Sequence, residues 1–160
     1  MGQHAQDIAN RIASFRDEVV AYVEKLSAND WGKTCEWEQW PVGVTAYHLG
    51  NGHFAIYKLI EMIIEGKELP QLTMDQINAG SKQNAQAHLD CSRADALEKL
   101  RQNGATFESF VAGLSDDDLA RQGSMPAFGG TVSVEQVIDY VIFQSGQEHF
   151  DSMKAAVGRS

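Results

Sequence analysis

Apolar residues recur at alternating four- and three-residue steps through Ile8, Ile12, Phe15, Val19, Tyr22 and Leu26, the one-face stripe of an amphipathic helix. Arg11, Glu18 and Glu24 fall between them. A second stripe runs through Val44, His48, Gly52, Ala55, Leu59 and Met62. Pro41 suits its first turn, where a missing N–H costs nothing, and Gly66 is its predicted stop. A third stripe, Leu97, Leu100, Phe107, Val111 and Leu114, follows the cap signal Ser92-Arg93-Ala94-Asp95. Gly104 stands on that stripe at a cost of about 1 kcal/mol against Ala, which predicts close helix approach. The fourth begins at Ser133, with Gln136 completing a capping box, and carries Val134, Ile138, Val141, Ser145, His149 and Met153 inward.

The connections are shorter. Ser27-Ala28-Asn29-Asp30 and Ser115-Asp116-Asp117-Asp118 each have capping-box form and predict short extra turns. Met125 to Thr131 is turn chemistry with room for a small hairpin. Pro70 to Cys91, rich in Asn, Gln and Ala, predicts one short helix and a crossover. Four long amphipathic segments with no long strand pattern predict an all-α fold: an antiparallel four-helix bundle with short extra turns and a crossover loop, one domain over residues 1–160.

Composition narrows the partners. The formal net charge is −9, so phosphate backbones and anionic lipid surfaces are repelled, and neither nucleic acid nor membrane is expected. No apolar run approaches 18 residues, and the first residues lack a basic region followed by an apolar stretch; a cytoplasmic protein is expected. Cys35 and Cys91 have no CxxC spacing and read as reduced thiols.

Of the five histidines, His4 near the terminus and His88 in the crossover are expected in solvent. His48 and His149 occupy stripe positions on two different helices. Burying imidazole without partners is unfavourable, and helix bundles build metal sites from such inward side chains; a hydrogen bond across the core is the competing explanation. His53 follows His48 by five residues, a rotation of about 140° on a regular helix. That rotation predicts an exposed or flanking place, unless the site is rearranged.

Several segments resemble the DinB-like family. Trp40-Pro41-Val42-Gly43-Val44-Thr45-Ala46-Tyr47-His48-Leu49 resembles the stretch in which a helix starts after a tryptophan and soon presents a His-Leu pair. Leu114-Ser115-Asp116-Asp117-Asp118-Leu119 is similar to the turn after the family's third helix. Gly130 to Ile138 is similar to the start of its fourth, and Gln144-Ser145-Gly146-Gln147-Glu148-His149 falls where many members read Asn-His-Gly-x-x-His. The resemblance implies a four-helix bundle, frequently a homodimer, holding a divalent metal on three histidines near one end. By position it implies His48 as first ligand and His149 as last. The middle place is taken by Ser145, whose neutral hydroxyl is a poorer ligand than imidazole or carboxylate, so it stands as a weak ligand or a neighbour of the ligands.

The resemblance thus implies zinc, nickel or iron on an incomplete site, and a thiol-dependent transferase or hydrolase acting on a small molecule. Trp31, Trp37, Trp40 and His53 are candidate walls of a pocket above it; sealing of the bundle end is the other use for the tryptophans. The alternative reading is a bundle without catalysis that binds a small ligand or serves as a dimeric interaction module.

Overall fold

In the computed structural model, which describes residues 2–158, the first stripe becomes α1, Gln3–Lys25, burying Ile8, Ile12, Phe15, Val19 and Val23. The third becomes α6, and the two touch along their length; the intervening elements are placed below. In α6, Arg93–Ala112, Arg101 meets Glu24 near the end of α1 while Glu108 meets Arg16 nearer its start. The pair is therefore antiparallel. A Cβ on Gly104 would lie 2.4 Å from Cδ of Arg16, so the glycine on the stripe is what lets Arg16 cross α6.

Between them, α2 (Ala28–Trp31) is a single turn with a reciprocal box between Ser27 and Asp30. The second bundle segment is α3, Val42–His48, a wider π-helical turn over Leu49–His53, and α4, Tyr57–Ile64. Gly66, with φ of 72°, ends it in the left-handed conformation expected of a glycine stop. The crossover is more ordered than the sequence reading allowed. It holds α5, Met74–Ala87, fourteen residues long, opened by a Thr73–Gln76 capping box.

After α6, a box between Ser115 and Asp118 opens α7 (Asp116–Ala120). Strands β1 (Gln122–Met125) and β2 (Gly130–Ser133) form a small antiparallel hairpin, Met125 opposite Gly130. The fourth segment is α8 (Val134–Ile138), a π-helical stretch over Asp139–Gly146, and α9 (Gln147–Val157).

Aromatic contacts tie the segments together. Phe15 of α1 meets Phe54, just past the first π turn, at 6.0 Å and Phe150 of α9 at 6.1 Å. Phe150 also takes Tyr22 edge-on at 5.4 Å. Phe54, Phe107 and Phe150 are essentially sealed from water, each contributing about 1.5–3 kcal/mol by burial. The resulting frame fixes the bulged segments of the second and fourth helices against each other. Among the described residues, no helix is long and apolar enough to cross a membrane.

Candidate metal centre

His48 is the last residue of α3. Immediately after it the backbone widens, and the Phe54 amide donates to the Leu49 carbonyl, an i→i+5 bond of 3.0 Å. Gly50 makes this turn possible. A Cβ on Gly50 would meet the backbone of Lys99 and Leu100 at 2.8 and 2.6 Å, so only glycine lets the turn lie directly on α6. Asn103 of α6 donates to the Gly50 carbonyl at 2.8 Å and holds the turn in place. Gly52 sits under the His48 ring, leaving 3.4 Å to Cε1 for a Cβ it does not have.

The wider winding has one chemical result. A regular helix would turn His53 away from His48; a turn that takes an extra residue brings it back to the same side. His53 is therefore a member of the cluster, correcting the expectation of a flanking or exposed place. π-helical turns recur at functional sites.

His48, His53 and His149 come together with one ligand nitrogen from each, all within 4.8 Å of one another. Ring centroids are 4.9 Å apart for His48–His53 and 5.0 Å for the two pairs with His149, with interplanar angles of 79–85°. The rings form a nearly equilateral propeller. Nε2 of His48 and Nε2 of His53 are 3.2 Å apart, close to the edge of about 3.3 Å that a tetrahedron with metal–nitrogen bonds of about 2.0–2.1 Å requires.

Two of the rings are oriented from behind. Nδ1–H of His53 donates to the Val141 carbonyl at 2.8 Å, in the π-helical stretch of the fourth segment. Its neutral lone pair is thereby placed on Nε2. Nδ1–H of His149 donates to Oε2 of Glu38 at 2.9 Å, and the Ser152 hydroxyl donates to Oε1 of the same carboxylate at 2.6 Å. This is the carboxylate–histidine arrangement that orients metal ligands. Burial, and secondarily the neighbouring His149, push the His53 pKa down to about 4. Burial, with His53 and His149 beside it, holds His48 well below its usual range. Both imidazoles are thus neutral near pH 7, the form that binds metal. The donor set fits a divalent ion.

Glu38 escaped the sequence reading. It sits in the aromatic loop before α3, where Gln39 adopts φ of 62°, a left-handed conformation uncommon outside glycine. The Cys35 amide donates to the Trp40 carbonyl at 2.7 Å and Gln39 back to Cys35 at 2.8 Å, a tight turn that folds the loop over the histidines. Trp40 stacks with His149 at 6.2 Å and meets His48 edge-on at 5.0 Å, while Trp37 lies 5.5 Å from His149. An acid between two tryptophans close to a predicted histidine site was the available signal.

A cavity of about 960 Å³ opens over the triad; Trp37, Trp40 and Ser145 line it with the histidines. Ser145 faces this space one turn before His149. Trp31 does not belong to these walls. Its ring lies on Gly43, where a Cβ would be 2.1 Å away, and its Nε1 donates to the Cys91 carbonyl at 3.3 Å. Expected in solvent, His88 instead stacks on Tyr47 at 4.5 Å, while His4 is exposed and pairs with Glu135.

Compared with known proteins, residues 11–147 match the family model described as the DinB superfamily. Among solved structures, the fold is similar to that of YfiT from Bacillus subtilis, which is described as "a probable metal-dependent hydrolase with an unusual four-helix bundle topology". The TM-score is 0.77 at 13% identity, over 98% of this chain and 87% of that one, a likeness of fold. No curated protein matches the chain.

Proposed function

Because the chain belongs to the DinB superfamily, we propose that His48, His53 and His149 hold one divalent metal ion in a metal-dependent enzyme acting on a small molecule. The observation that carries this reading is the propeller of three imidazoles with one nitrogen each inside 4.8 Å. A divalent ion supplies Lewis-acid chemistry, lowering the pKa of a water or thiol and polarising an electrophile. Hydrolysis and thiol transfer both use that chemistry.

The chain's own groups have separable tasks. Glu38 takes the Nδ1 proton of His149 in a hydrogen bond and points its Nε2 lone pair at the centre. The Val141 carbonyl does the same for His53. With the single proton of neutral His53 on Nδ1, His48 is the Nε2 donor in the 3.2 Å contact. Binding a cation then requires His48 to move that proton to Nδ1, a change of tautomer with no change of charge. Trp37 and Trp40 limit water at the histidine end. Ser145, on the cavity wall, offers a hydroxyl to a bound substrate. Three protein ligands would leave a position open on such an ion, as in catalytic zinc sites.

The test is elemental mass spectrometry of untagged protein and of His53→Ala. Close to one zinc, nickel or iron per chain, lost in the variant, is the expected result. Parent protein that is metal-free and takes up no divalent ion would overturn the proposal and favour a binding bundle without catalysis.

A further inference from the structure

The cavity above the histidines has a rim that water should disfavour. Four large apolar side chains are exposed among the described residues: Trp37 at 62%, Leu89 at 60%, Tyr140 at 40% and Leu72 at 38%. Scattered singly, such residues mean little. Here Trp37, Leu89 and Tyr140 all border the one cavity above the histidines, and convergence of that kind marks a binding surface.

The interior continues the pattern. Ile56 follows His53 by about one turn, so an apolar wall runs outward from the histidines along the second bundle segment. Ile77 faces it from α5, and Phe128 reaches in from the tip of the hairpin, edge-on to Tyr140 at 6.2 Å. α5 forms the outer wall and buries only Ala85, so its inner face serves the cavity more than the core.

Charge selects among ligands of this size. The charged lining residues are Glu38, Glu148 and Lys82. Glu38 is already committed to His149 and Ser152. Lys82 is the one lysine or arginine in the lining, in a chain of net charge −9. Phosphate and other polyanions are recognised by clustered Arg and Lys or by backbone nests, and the lining has no such cation cluster. A volume of about 960 Å³ lies at the upper end for drug-sized ligands.

We propose that the cavity takes an uncharged small molecule with an extended apolar or aromatic body, its polar reacting end at the histidines and its body against Ile56, Ile77 and Phe128. The reaction assigned to that end rests on the metal-site reading; binding of the body does not.

The experiment titrates the neutral dye N-phenyl-1-naphthylamine into full-length protein, both chelator-stripped and metal-loaded, reading dye fluorescence and energy transfer from tryptophan. Saturable binding of one dye per chain in both forms is expected. Leu89→Ser, at a position exposed enough to leave folding intact, should weaken it about fivefold, while Lys82→Ala should not change it. In the chelator-stripped form, the anionic 8-anilinonaphthalene-1-sulfonate should bind more weakly than the neutral dye. Absence of saturable binding, equal affinity of the stripped form for the anionic dye, or indifference to Leu89→Ser would overturn the proposal. So would loss of dye as the protein self-associates in light scattering, which would give the rim to a second copy of the chain. Failure of the metal reading shows separately, as absent metal with dye binding retained.

Discussion

Replacing Glu38 by Gln isolates what the buried carboxylate does for His149. The side chain is 4% exposed and that of His149 11%, and both carboxylate oxygens are engaged, at 2.9 Å by Nδ1–H and at 2.6 Å by the Ser152 hydroxyl. Gln keeps the shape and one acceptor, and the Ser152 hydroxyl can rotate to accept from the new amide. What is lost is the negative charge behind the imidazole. Removing such a partner costs about 10–100-fold in metal affinity, or about 1.4–2.7 kcal/mol. Glu38→Ala is harsher, because two part-buried donors lose their partner at about 1–3 kcal/mol each, and folding suffers with binding. The assay is competition for zinc between stripped protein and a chromophoric chelator, with urea unfolding of the metal-free forms as control. Parental affinity in Glu38→Gln, or an affinity loss matched by an equal loss of metal-free stability, would refute a role in orienting the ligand.

Three further outcomes are expected. In chelator-stripped protein, the unfolded chain protonates His53 below its ordinary value of 6.5 whereas the folded protein resists until about 4. Stability should therefore be full above pH 6.5 and fall as pH drops through that window, by about 3 kcal/mol; urea midpoints that stay flat between pH 7 and 4 would contradict it. Gly50→Ala should cost about 1–3 kcal/mol by forcing the π turn off α6, checked by urea denaturation, and an unchanged midpoint would mean the turn has slack. Ser145→His adds an imidazole to the cavity wall one turn before His149 and should tighten divalent binding in chelator competition while lowering any turnover; unchanged affinity would place position 145 out of reach of the ion.

The bundle was legible because its signals are local. Ser27, Ser92, Ser115 and Ser133 each form the reciprocal cap their neighbours announced, and Gly104 marks the close crossing it foretold. The fourteen residues of α5 exceed the short helix that the sequence predicts, although Thr73 and Gln76 supply the same cap; its polar composition hides it, since it buries almost nothing. His48 and His149 were found as polar residues on apolar stripes. Uniform winding turns His53 to a flanking place on the pocket wall, whereas Leu49-Gly50-Asn51-Gly52 widens to an i→i+5 turn and brings it into the cluster itself. That glycine pair inside a helical stripe was the visible warning. Glu38 lies in a loop whose path depends on a left-handed Gln39, and no periodicity reports on that.

His48 and His53 come from one turn, whereas His149 follows 96 residues after His53. An ion joining them would act as a clasp between two distant parts of the chain. In chain-entropy terms, a link closing a loop of about 100 residues restricts the unfolded ensemble by up to about 4.7 kcal/mol, and α5, α6 and the hairpin all lie inside that loop. The paired histidines of the π turn could still capture an ion before the chain folds, since they stand only five positions apart. The last imidazole, delivered with α9, would then lock the tertiary structure as it joined the other two, so that a bound ion would add to this protein's resistance to unfolding.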